Sequence, residues 1–155
     1  MLINQVGSIN VAGVGQNDVT ASSVLINQAG SLNLSIVSQF DVTASTDFIN
    51  QTGTMNQATI SQFFDVKESN ILINQAGVMN DALVIQESGT RLSSVAINQA
   101  GSMNMADITQ TTTTLSNAST TQIGSNNMHA TTQTGIRQTA IVVQIGNGNM
   151  GAISQ

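Results

Sequence analysis

Four residue columns recur through this chain without exception, and they leave few choices of fold. The string Ile-Asn-Gln occurs at Ile3, Ile26, Ile49, Ile73 and Ile97, with degenerate copies beginning at Thr120 and Val142. The spacings are 23, 23, 24, 24, 23 and 22 residues. Aligned on that string, every unit carries one residue of each column. The first is Gln5, Gln28, Gln51, Gln75, Gln99, Gln122 and Gln144. The second is Gly7, Gly30, Gly53, Gly77, Gly101, Gly124 and Gly146. The third is Asn10, Asn33, Asn56, Asn80, Asn104, Asn127 and Asn149. The fourth is Gln16, Gln39, Gln62, Gln86, Gln110, Gln133 and Gln155. A looser column of small residues follows the Asn by two (Ala12, Ser35, Ala58, Ala82, Ala106, then His129 and Gly151), and a Ser precedes the first Gln by six at Ser22, Ser45, Ser69, Ser93 and Ser116. The 155 residues therefore read as one domain of seven repeats, 1–25, 26–48, 49–72, 73–96, 97–119, 120–141 and 142–155.

A repeat this short cannot hold a helical pair, which needs more than 30 residues. Its apolar periodicity is 2, not 3.6. In the fifth unit Val95, Ile97 and Gln99 alternate with Ala96, Asn98 and Ala100, and a second alternating set runs Asn104, Ala106, Ile108, Gln110. Gly-x-x-Asn between the two runs reads as a tight reversal. Each unit is thus strand–turn–strand, with a longer turn into the next unit. Identical residues at a fixed offset stack best when unit sits on unit in register, first strand on first strand and second on second, all parallel. The expected fold is an all-β, two-sheet parallel β-solenoid of seven rungs, amyloid-like in its cross-β spacing. At about 4.7–4.9 Å per rung it would stand roughly 33 Å tall.

Inward amides are costly when unpaired, about 1–3 kcal/mol each. Stacking removes the cost, because each side-chain carbonyl accepts from the amide of the neighbouring rung. The Gln and Asn columns are therefore the candidate functional residues, as structural amide ladders that hold register. Between them lie dry columns, Ile3, Ile26, Ile49, Ile73, Ile97, Thr120, Val142 and Val14, Val37, Ile60, Val84, Ile108, Thr131, Ile153. The chain has no Pro, which could not donate to a ladder. The glycine column supplies the backbone angles and close approach that the turn needs.

Composition narrows the function classes. Without Cys there is no disulfide, thiol nucleophile or Cys-based metal site. Three basic against eight acidic residues, and four aromatics, suit nucleic acid poorly. Apolar runs reach only four residues, as at Ala82–Ile85, so no membrane span is expected. Neither a catalytic constellation nor a cofactor or metal site is expected. Gly146-x-Gly148-x-x-Gly151 matches a dinucleotide fingerprint but has no strand–helix context. His129 is the only His and replaces a small core residue, so a tolerated or outward-shifted ring is expected rather than a metal ligand. Met55, Met79 and Met103 read as packing near the turn.

The unit Ser93-x5-Gln99-x-Gly101-x2-Asn104-x-Ala106-x3-Gln110 resembles the curlin repeat of the bacterial curli family, and the units opening at Ser45 and Ser69 fit it equally. The resemblance covers essentially the whole chain. It implies a secreted subunit of a curli-like functional amyloid, forming extracellular fibres at the bacterial cell surface for biofilm matrix and adhesion. It also implies polymerisation after export, templated by a nucleator, with secretion or chaperone proteins as further partners. The chain departs from the family in its larger number of units, in lacking a visible leading segment, and in Gln138, which stands where the seventh Ser belongs.

The terminal units carry almost no charge and no evident cap, so head-to-tail stacking of copies into a homopolymeric filament is expected. Most charges fall in the longer turns, at Asp18-Val-Thr-Ala-Ser22, Asp41-Val-Thr-Ala-Ser45 and Asp65-Val-Lys-Glu-Ser69. These read first as solvated turns and, more sharply, as an acid- or cation-sensitive column. The alternative function is a monomeric β-solenoid binding module of ice-binding or adhesin type. An ice binder should show a flat outward Thr column, whereas the regular outward column here is Asn4, Asn27, Asn50, Asn74, Asn98.

Overall fold

A computed structural model describes all residues from Met1 to Gln155. It contains fourteen strands and no helix: β1 (Leu2–Ser8), β2 (Val11–Thr20), β3 (Ser23–Ser31), β4 (Leu34–Thr43), β5 (Thr46–Thr54), β6 (Gln57–Lys67), β7 (Asn70–Val78), β8 (Asp81–Glu87), β9 (Ser94–Ser102), β10 (Met105–Thr114), β11 (Asn117–Ser125), β12 (Met128–Ile136), β13 (Thr139–Asn147) and β14 (Met150–Ser154). Odd strands form one seven-stranded sheet in the order β1-β3-β5-β7-β9-β11-β13, and even strands form the other in the order β2-β4-β6-β8-β10-β12-β14. All pairing is parallel, and like sits on like: Ile3 faces Ile26, Gln5 faces Gln28 and Gly7 faces Gly30. The chain is a two-sheet β-solenoid of seven rungs. Each repeat boundary chosen at the Ile falls inside an odd strand, which begins about three residues earlier.

Alternation sorts the side chains as the period-2 pattern requires. Ile26, Ile49, Ile73 and Ile97 from the odd sheet meet Val37, Ile60, Val84 and Ile108 from the even sheet, and all are fully buried. Ala58, Ala82 and Ala106 belong to the same buried cluster.

The reversal from odd to even strand begins at the glycine. Gly77 has φ +123°, and a Cβ there would stand 1.9 Å from the Gly101 carbonyl oxygen. The same near-collision recurs at every glycine of the column whose next rung lies in the chain, so no other residue fits between rungs. Two residues later the backbone enters the left-handed region again, at Leu32, Met55, Met79, Met103 and Asn126. This overturns the packing expectation for the methionines. The left-handed turn points Met55, Met79 and Met103 into solvent, where each is close to half exposed.

The longer turns are less solvated than their charges suggest. The even strand bends where Asp18 and Asp41 take positive φ, and the bend returns the following residue to the interior. Val42 and Val66 are fully buried there, as are Thr90 and Thr113 in later rungs. Strand β6 holds one extra residue, so that Phe40 pairs with Phe63 but Val42 with Val66. Asp65 thus sits beside a bulge, not in a plain stack of carboxylates. It forms ion pairs with Lys67 and with Arg91, the latter at 2.6 Å.

Candidate functional site

The candidate site is the set of amide ladders and the rung edges on which they end. In the odd sheet each Gln Nε2 donates upward to the Gln Oε1 of the next rung, from Gln28 to Gln51 at 2.8 Å and from Gln75 to Gln99 at 2.9 Å. Its second N–H crosses to the other sheet: Gln51 donates to the Leu34 carbonyl at 3.0 Å and Gln99 to that of Asp81 at 2.8 Å. Each crossing reaches the rung below, so the ladder ties sheet to sheet and rung to rung at once. The even-sheet ladder, Gln16 through Gln155, runs in the same sense, with 2.8 Å bonds from Gln39 to Gln62 and from Gln110 to Gln133.

The Asn ladder runs the opposite way. Asn56 Nδ2 donates down to Asn33 Oδ1 at 3.1 Å, and the Asn56 backbone N–H joins the same acceptor at 3.1 Å. Asn56 Nδ2 also donates up to the Gly77 carbonyl at 3.1 Å, so one amide spans three rungs. At the other turn the Ser hydroxyl does a similar service. Ser45 Oγ accepts the Ser69 backbone N–H at 3.3 Å, and where Gln138 replaces the Ser of the seventh unit its N–H still finds Ser116 Oγ at 3.1 Å.

The Gln and Asn columns face inward, and in rungs 2 to 6 all are buried. Burial makes each bond consequential. Replacing Gln51 by Leu would strand the Ser35 hydroxyl, the Gln75 Oε1 and the Leu34 carbonyl, all of which now bond to Gln51. We expect a loss of about 2–4 kcal/mol, read as a lower guanidinium midpoint for the folded chain.

Two ionisable residues lie in the core outside the ladders. Asp47 is fully buried between Val24 and Ile71 in its column. Its Oδ2 accepts from Gln39 Nε2 at 3.0 Å, and Oδ1 has no partner. Burial, only partly offset by the Gln39 bond, pushes its pKa up to about 7. Alternation could have found it, because Asp47 shares the inward parity of Ile49 and Gln51. His129 is 2 % exposed and turns inward, as a tolerated core residue and not an outward-shifted ring. The room comes from Gly151 on the next rung, where a Cβ would lie 3.3 Å from His129 Nδ1. The ring bonds to Thr131 Oγ1 at 2.7 Å, and burial holds its pKa below the usual imidazole value.

No three acidic or His side chains converge on a point that could hold a metal ion. No helix is long and apolar enough to cross a membrane. No known family model matches the chain, and neither does any curated protein or solved structure.

Proposed function

We propose that this chain is a structural subunit, not an enzyme, and that it polymerises with itself head-to-tail into a fibre of the curli-like kind its repeat resembles. On that resemblance the fibre works outside a bacterial cell, in biofilm matrix and surface adhesion, with a nucleator and export proteins as its other partners.

The observation that carries the reading is the polarity of the ladders. Rung 1 presents Gln5 and Gln16 with Oε1 atoms that accept from no Gln below. Rung 7 presents Gln144 and Gln155 with Nε2 atoms that donate to no Gln above. The Asn ladder offers the converse: Asn149 Oδ1 lacks the donor that Asn127 Oδ1 receives. A second copy stacked in the same direction completes all three ladders and both sheets together. A reversed copy sets acceptor against acceptor. Edge strands that match only in one direction give a polar filament and no closed ring.

The last glycine of the column provides the test. A Cβ at Gly146 meets nothing nearer than Asn149 Nδ2 at 3.8 Å within one chain, whereas its equivalents one rung down strike the next glycine carbonyl at 2.0 Å. The φ of +109° strains Gly146→Ala locally, but without a clash inside the chain the variant should keep its β circular-dichroism signal while abolishing elongation, followed by electron microscopy and the 4.7–4.8 Å fibre reflection. A wild-type chain that stays monomeric at high concentration would sink the proposal and favour the binding-module reading. Unimpaired elongation by the Gly146→Ala variant would reject in-register axial stacking.

A further inference from the structure

The two outer faces of the solenoid differ in charge. Three adjacent columns on the outer face of the odd sheet are Leu2, Leu25, Phe48, Leu72, Ala96, Ser119, Ile141; then Asn4, Asn27, Asn50, Asn74, Asn98, Thr121, Val143; then Val6, Ala29, Thr52, Ala76, Ala100, Ile123, Ile145. None of the eight acidic or three basic residues stands among them. Before its bend, the outer face of the even sheet carries Asp81, Glu87 and Asp107 and no positive charge; Lys67 lies beyond the bend, paired with Asp65. Asp81 and Asp107 are close enough that the charge of Asp107 helps to raise the Asp81 pKa, after burial. Two even faces would therefore repel each other, and two odd faces would not.

The odd face also has relief. A groove of about 270 Å³ runs along it through rungs 3 to 6, over the small side chains Thr52, Ala76 and Ala100 and beside the ridge of Asn50, Asn74 and Asn98. The column on the far side of that ridge is bulky in rungs 3 and 4, at Phe48 and Leu72, and small in rungs 5 and 6, at Ala96 and Ser119.

We propose that the odd face is a lateral interface to a second copy of this chain, the two solenoids lying face to face and parallel about a two-fold axis along the stacking direction. That axis lays Asn column on Asn column and sets each first-column residue opposite a third-column residue of the same rung. Leu25 then meets Ala29, Phe48 meets Thr52, and Leu72 meets Ala76. In rung 6 the sizes exchange, Ser119 against Ile123, so the complementarity persists. Rung 5 is small against small, and rungs 1 and 7 are large against large. A face of seven strands by five or six residues measures about 33 by 20 Å. Pairing two such faces buries about 1,200–1,300 Å² in total, the lower end of what stable protein interfaces bury. An isologous contact of this geometry keeps both partners pointing the same way, so it is compatible with axial growth without depending on it.

The experiment places charge on each face in turn: Asn74→Lys with Asn98→Lys on the odd face, and Thr109→Lys on the even face as control. Mass per unit length is read by scanning transmission electron microscopy where filaments form, and particle mass by sedimentation velocity on the Gly146→Ala background where they do not. The wild type and Thr109→Lys should give two chains abreast, and the odd-face double variant one, with the β signal unchanged. Should the double variant fail to fold, Asn98→Lys alone serves, with the same expected halving. A wild type one chain wide, or doublets that survive odd-face charge, would overturn the proposal. So would a single-width chain whose odd face is shielded only on adding phosphatidylcholine vesicles, which would make a lipid surface the occupant. Loss of axial growth leaves the dimer readout intact, so failure here and failure of the fibre reading are distinguishable.

Discussion

Gly77→Ala should abolish the cooperative folded state, whereas Gly13→Ala should leave it intact or slightly more stable. At Gly77 the added methyl carbon would lie 1.9 Å from the Gly101 oxygen and 2.9 Å from the Gly101 carbonyl carbon. Both atoms are backbone, held by the ladder that makes the rung, so neither can swing aside. Relief requires rungs 4 and 5 to part at the turn, which also breaks the Asn80 bond to the Gly101 carbonyl and exposes the Asn ladder. The φ of +123° adds strain for any L side chain. We expect a loss of at least about 4–5 kcal/mol, at the extreme of what single substitutions do. Gly13 lies on the outward face of β2 with nothing within 4 Å of a Cβ and no positive φ. There Ala restricts the unfolded chain and gains about 0.4–1 kcal/mol. Chemical denaturation of both variants measures the contrast. Equal effects at the two sites would mean that the turn glycines are not wedged between rungs.

Acid should stabilise the fold, and Asp47 should account for most of the effect. Its carboxyl titrates near 3.8 when exposed and near 7 in the folded chain. A raised pKa means that the folded state binds the proton more tightly. The contribution is therefore whole below about pH 3.8, drains away as pH rises, and is gone above about 7. The difference corresponds to about 4 kcal/mol at 1.36 kcal/mol per unit. Asp81 and Asp107, both raised chiefly by burial, act in the same direction. His129 acts against them: its lowered pKa makes protonation costly in the fold, so its contribution is lost as pH falls below 6.5. Asp65 also opposes, because Lys67 and then Arg91 hold its carboxyl below the usual value, a small effect at so exposed a position. Guanidinium midpoints at pH 4.5 and 7.5 should differ strongly in the wild type and little in Asp47→Val. If Asp47→Val keeps the full pH dependence, the titrating group lies elsewhere, and Asp81 and Asp107 become the leading candidates.

Much of this site is legible before any coordinates. The columns of Gln5, Asn10 and Gln16 and their successors have one spacing and one parity, so alternation settles that they face inward and repetition settles that each meets its own kind. The arch is less legible. In Asp41-Val42-Thr43 the charge and the left-handed Asp41 interrupt the period-2 reading, and Val42 looks like part of a solvated turn, although the kink returns it to the core. Met79 misleads in the opposite sense. An apolar residue beside a turn reads as packing, but a positive φ reverses the direction of its side chain, and alternation carries no information about the sign of φ.

The sequence by itself determined the number of rungs, their parallel register and which residues are inside, because a slip of one residue in any rung would bury unpaired amides and expose the isoleucines. Only the tertiary structure decided the direction of the ladders, with the Gln amides donating toward rung 7 and the Asn amides toward rung 1. An amide carries donor and acceptor on one carbon and can stack in either sense. The choice is made by its second N–H, which finds the opposite sheet for Gln and the next glycine carbonyl for Asn, and those partners exist only once the two sheets have come together.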